Sequence, residues 1–197
     1  MLFRTSAAAL GLAIVLPAQI ASGPEPGSAL AELRVYAPAG ARAGDTFDAA
    51  AAIGNAPGAI LFVHELTRNT GPVIGGLDRF AGEYSLLGLR TFAVRLAADR
   101  TDAEAGMKRS SEAMRLHNPI VISTDGAEGP GTYALNRKCT LTLVTCKDGK
   151  VVRSVGFTDP GRGDLPKLRE LLEEVTGPLP QEEAAYKALL ELSLIHI

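Results

Sequence analysis

The chain has 197 residues, 46% of them hydrophobic and 21% charged, the make-up of one globular domain with extensions rather than of a disordered tail. Lys and Arg total 20 against 22 Asp and Glu, a formal net charge of −2, so no basic excess is present to engage nucleic-acid phosphates. Aromatic content of 5% with no Trp argues against a stacking platform, and 2 cysteines are too few for a disulfide scaffold.

Residues 1–22 read as an export signal. Arg4 supplies the positive start, residues 7–16 form an apolar run closed by Pro17, and small residues follow at Ala18, Ala21 and Ser22. Ten apolar residues are about half of what a bilayer-spanning helix needs, so no stable membrane span is expected once the signal is cleaved. Residues 23–44 are read as a linker or N-terminal extension, with a short strand over 34–36.

A folded domain is expected over residues 45–177. Residues 45–53 are read as a β segment. Residues 59–65, AILFVHE, form a continuous apolar run bounded by Pro57-Gly58, the pattern of a strand buried on both faces. A helix over 72–87 follows, with Thr70 as its N-cap and Leu77, Phe80, Ala81 and Tyr84 on one face. A strand over 89–97 leads to a helix that Thr101 and Glu104 open as a capping box. A strand over 119–123 precedes the glycine-rich loop DGAEGPG at 125–131, which lacks the Lys-Ser/Thr ending of a phosphate loop. Strands over 139–146 and 150–157 flank Asp148-Gly149, a hairpin signal. The last core helix spans 165–175, with Leu168, Leu171, Leu172 and Val175 as its apolar stripe. Residues 178–197 are a C-terminal extension with helical spacing over 181–192. Its last five residues resemble translated sequencing adapter, so His196 enters no site argument.

This order predicts an α/β fold, a central mixed sheet with helices on both faces. With ILFVHELTRNT at 60–70, the helix directly after it, Tyr133-Ala134-Leu135 and TLTLVTCKDGKVV at 140–152, the chain resembles the thioredoxin-like superfamily, a three-layer sandwich. The layout is similar to the exported thiol-oxidoreductase and peroxiredoxin branches. The resemblance implies a Cys-x-x-Cys between the first core strand and its helix; here Thr67-Arg68-Asn69-Thr70 stands in that place. Threonine forms no disulfide, so dithiol chemistry is not expected. The resemblance also implies a cis-proline before the hairpin strand. Arg137-Lys138-Cys139-Thr140 occupies that site, and a trans backbone is expected there.

The expected function is an exported thioredoxin-fold binding or scaffolding module for another exported protein or peptide. Its groove would be lined by Thr67, Arg68, Asn69, Thr70, Arg137, Lys138 and Cys139. The alternative is a thiol enzyme with Cys139 as nucleophile, its pKa lowered by Arg137 and Lys138. Cys139 and Cys146 are too far apart along one strand to pair with each other, and the odd separation puts them on opposite faces. His64 and Glu65 end the first core strand and form a weak metal-site candidate with Asp125 or Glu128, without the spacing of a specific ligand set. Arg68 could hold an anion at the helix start. No cofactor signature is present.

Overall fold

The computed structural model describes residues 20–180. Most of the expected export signal, the helical spacing over 181–192 and the last five residues lie outside them.

Seven strands form one sheet: β1 (Arg34–Tyr36), β2 (Thr46–Asp48), β3 (Gly58–Val63), β4 (Arg90–Arg95), β5 (Val121–Ser123), β6 (Leu141–Lys147) and β7 (Lys150–Phe157). Their order is β2-β1-β5-β4-β3-β6-β7. β3 pairs parallel with β4 and antiparallel with β6, so it is central, and all six of its residues are buried. Its alternation serves two cores. Ala59, Leu61 and Val63 enter one, and Ile60 and Phe62 the other.

The helices are α1 (Ala49–Ile53), α2 (Thr70–Glu83), α3 (Arg100–Ala113) and α4 (Leu165–Thr176). Leu77 and Phe80 of α2, Met107 of α3 and Leu168 of α4 share one core. The links β3-α2-β4 and β4-α3-β5 step across the sheet in the same direction, and right-handed crossovers then put both helices on the same face. The opposite face is covered by α1 and by Leu33 and Tyr133, the latter edge-on to Phe62 with centroids 5.0 Å apart. The expected stripes on α2 and α4 are both buried. Asp148 and Gly149 both have positive φ, 53° and 70°, the two-residue turn that the right-handed twist of a hairpin favours.

Several local expectations are corrected. Residues 49–53 are helical because Asp48 Oδ1 caps them, accepting from the amides of Ala50 at 2.9 Å and Leu33 at 3.0 Å. Asn69, not Thr70, is the residue before α2, which ends at Glu83 and is followed by a 3-10 turn at Ser85–Leu87. Asp99 caps α3 through the amides of Thr101 and Asp102 in place of the Thr101 capping box. The segment expected as a linker is part of the domain: β1 lies in the sheet beside β5. Residues 20–30 form a strap over the β6–β7 hairpin, with Gly27 and Leu30 amides bonded to Val151 and Gly149 carbonyls at 2.8 Å. This covers part of an otherwise open sheet edge.

At the end of α3, Leu116 donates to Ser111 and Arg115 to Glu112, and Arg115 has φ of 53°. This is the Schellman geometry, in which glycine is favoured at the position Arg115 holds. Arg115→Gly is expected to stabilise the fold by about 0.5–1 kcal/mol, read as a raised midpoint in chemical denaturation.

Candidate functional site

At the C-terminal end of β3 the chain turns from the sheet into α2. The amides of His64 and Glu65 both donate to the Thr140 carbonyl, at 3.0 and 3.3 Å. This ties the end of β3 to the residues just before β6. The Thr67–Thr70 turn follows. Thr70 Oγ1 accepts from the Thr67 amide at 2.9 Å and donates to the Thr67 carbonyl at 2.9 Å. Thr67 Oγ1 accepts from the Thr70 amide at 3.3 Å. Both hydroxyls are thus used to close the turn. Thr67, Arg68 and Asn69 are exposed, and Thr70 is buried.

His64 sits half-buried at the edge of a polar chain that the sequence does not announce. Its Nε2 lies 3.1 Å from Thr142 Oγ1, which lies 2.6 Å from Ser22 Oγ. Ser22 Oγ accepts from the Asn136 amide at 3.0 Å. Arg95, at the end of β4, donates to the carbonyls of Val63, at 3.1 Å, and His64. A cleft of about 510 Å³ opens here, lined by His64, Arg95, Asp99 and Asp102 among others. Strand alternation says nothing of Arg95 bending back over two carbonyls. The available signal was its place at the carboxyl end of a parallel strand, where α/β folds bind ligands.

Burial lowers the His64 pKa, the Arg95 charge lowers it further, and Glu65 opposes both. The unfolded chain therefore takes up a proton near pH 6.5 while the folded one still resists it. Below that pH the unfolded state binds more protons, so this contribution is fully present above about 6.5 and is lost as pH falls toward the folded value. The melting temperature is expected to drop between pH 7.5 and 5 more steeply in the native chain than in His64→Gln. Identical slopes would remove His64 as the cause.

Both cysteines are free and buried. The expectation that they face opposite sides is corrected: β6 begins at Leu141, so strand alternation does not reach Cys139. Its sulfur lies 2.5 Å from where a Cβ on Gly156 would stand, a point also 3.1 Å from Ser22 Cβ. Gly156 pairs with Thr142, two residues along β6 from Val144 on the core face that also holds Cys146. Cys139 is 1% exposed. Burial pushes the Cys146 thiol up to about 11, so it stays protonated at neutral pH.

Of the expected groove residues, Arg137 and Lys138 are exposed, and Arg137 pairs with Glu128. The Thr140 carbonyl brings their segment to the end of β3, while the Cys139 side chain points beneath the strap. Among the described residues every peptide bond is trans, and no three His, Cys, Asp or Glu gather to hold a metal ion. His64 and Glu65 therefore have no third ligand there.

Solved structures settle the architecture. A Chlorobium tepidum structure assigned as thiol:disulfide interchange protein DsbE is similar at a TM-score of 0.61 and 15% identity, covering 78% of this chain and 99% of its own. The chain has the thioredoxin-like fold. A thiol peroxidase from Chromobacterium violaceum shares this thioredoxin-like architecture at a TM-score of 0.51 and 12% identity, over 79% of this chain and 90% of that one. A secreted disulfide oxidoreductase of Mycobacterium tuberculosis does so at 0.50 and 13%, over 72% and 94%. No protein-family model and no curated protein matches the sequence.

Proposed function

We propose that this chain is an exported thioredoxin-fold binding module that carries no dithiol chemistry. The observation that carries the reading is the Thr67–Thr70 turn, whose hydroxyls bond to each other's backbone where the resemblance implies two sulfurs. The occupant is an extended segment of another exported protein or a peptide, lying between Thr67–Asn69 and Arg137–Lys138, all exposed. Export rests on the apolar N-terminal run, with cleavage ahead of Ile20 rather than after Ser22, because Ser22 bonds to Thr142 inside the domain, in keeping with the secreted Mycobacterium tuberculosis relative in fold.

The thiol enzymes among the fold relatives favour a second reading, in which Cys139 is the nucleophile. Its burial under the strap requires the strap to lift first. The two readings separate in one experiment. Purified protein is assayed for insulin reduction with dithiothreitol and, separately, for peroxide consumption, alongside Cys139→Ala. Turnover that disappears in Cys139→Ala overturns the binding-module reading, and background rates in both proteins support it.

A further inference from the structure

A second cleft opens at the other end of the sheet. Between the C-terminal half of α2, the start of β4 and the turn after α3 lies a cleft of about 900 Å³, within the size range of small-molecule sites. Its wall on α2 runs from Gly75 to Glu83 and includes none of Thr67–Thr70, so the cleft is separate from that turn.

Its charge is unlike that of the chain. Arg42, Arg79, Arg90 and Arg115 reach the lining against two carboxylates, Asp78 and Glu83, while the whole chain is net −2. Both carboxylates are already engaged. Asp78 accepts from the amides of His117 and Asn118 at 3.0 and 2.8 Å, and Glu83 from Arg169 at 2.7 Å. Arg115 has no side-chain hydrogen bond or ion pair among the described residues. It projects from a left-handed position that favours glycine.

Below the arginines the lining is apolar, with Leu89, Phe92, Met114 and Leu116. Gly75 and Gly82, two turns apart on α2, have nothing within 4 Å of where a Cβ would stand. Beyond Phe92, whose ring packs against Phe47 with centroids 5.7 Å apart and Arg42 stacked over Phe47, lies an adjoining pocket of about 230 Å³ walled by Ala37, Phe47 and Val121, which a chain reaches by turning these rings aside. An apolar trough suits a hydrocarbon chain, and guanidinium forks suit a phosphate or carboxylate. Arg79 pairs with Glu83 at 3.5 Å and Arg90 donates to the carbonyls of Ala52 and Ile53 at 2.7 and 3.3 Å, so Arg115 is the guanidinium that a ligand would engage first. A compact anion would leave the trough unfilled, and a neutral chain would leave Arg115 unpaired.

We propose that this cleft binds a dissolved single-chain anionic amphiphile, its head on the arginine rim and its chain along the trough toward Phe47. The test is calorimetric titration of the full chain with dodecyl phosphate below its micelle concentration. Inorganic phosphate and dodecyltrimethylammonium are the controls. Dodecyl phosphate is expected to bind with one-to-one stoichiometry, and each control at least about tenfold more weakly. Arg115→Gly is expected to raise the melting temperature yet weaken binding about fivefold or more. Gly82→Leu, which puts a helix-favouring side chain into the open space, is expected to abolish it. Equal binding of dodecyl phosphate and dodecyltrimethylammonium overturns the proposal, as does unchanged affinity in both variants. Retention on phosphatidylglycerol vesicles without uptake of dissolved dodecyl phosphate also overturns it, assigning the arginines to membrane contact instead.

Discussion

Replacing Thr67 and Thr70 together by cysteine is expected to create a disulfide-reducing activity, raising insulin reduction with dithiothreitol at least about tenfold over the native chain. The turn already has the required geometry. Thr70 Oγ1 lies 2.9 Å from the Thr67 amide and Thr67 Oγ1 3.3 Å from the Thr70 amide, so the two side chains already face each other across the turn. Residue 67 is exposed and residue 70 buried, the arrangement for an attacking thiolate and a covered partner. The residue 70 amide, which in the native chain donates to the Thr67 hydroxyl, would stabilise that thiolate at the start of α2. Losing the Thr70 hydroxyl bonds costs about 1 kcal/mol each, which a domain with two packed cores tolerates. Thr67→Cys alone is expected to alkylate rapidly without turnover. A folded double variant that keeps two free thiols in oxidised glutathione would show that the turn does not superpose on a dithiol site.

The second large effect concerns the strap. A methyl group added at Gly156 would sit 2.5 Å from the Cys139 sulfur, 3.0 Å from the Ile20 carbonyl oxygen and 3.1 Å from Ser22 Cβ. No side chain fits there without moving the strap or the sulfur, and overpacking of this kind costs about 1–3 kcal/mol. Gly156→Ala is therefore expected to lower stability by roughly 2 kcal/mol in urea denaturation. Removing the sulfur relieves the nearest clash, so Cys139→Ala in the Gly156→Ala background is expected to recover part of the loss. The non-additivity is the signature of direct contact. Gly156→Ala is also expected to speed modification of Cys139 by a thiol reagent in the folded protein, because the strap must lift. Additive stabilities with unchanged thiol reactivity would mean that the strap does not pack on Cys139.

The fold relatives include an interchange protein, a peroxidase and a disulfide oxidoreductase, and this chain keeps their architecture with hydroxyls at the turn. A fold positions a site without dictating its chemistry. Here the sheet, α2 and the hairpin depend on apolar patterning that is independent of the two residues at 67 and 70.

Long-period features are legible in the sequence alone. The run at 59–65 marks the central strand, the stripes on α2 and α4 mark the buried helix faces, and Asp148-Gly149 marks the hairpin, because apolar burial and turn stereochemistry act over neighbouring residues. The hydroxyls at 67 and 70 were legible for the same reason: position relative to a strand and a helix is local information. Single-residue caps were less so. Thr70 and Thr101 are good cap types, yet Asp99 and the backbone at Asn69 took those positions: Asp99 has the extended backbone that aims its carboxylate at the first amides, and the Thr70 hydroxyl bonds back to the Thr67 carbonyl instead.

Tertiary packing decided the rest. That residues 20–30 cross the hairpin, that Cys139 lies under Ser22, and that Ser22, Thr142 and His64 join in one polar chain all involve partners 78 to 120 residues apart or a fold over the strap. The gathering of Arg42, Arg79, Arg90 and Arg115 around one cleft is of the same kind. The amino-acid order by itself determined the central strands, the helix faces and the hydroxyls at the turn, since each follows from side chains a few positions apart. Which distant side chains meet follows from the direction each strand and crossover takes, and that is set only when the two cores close together.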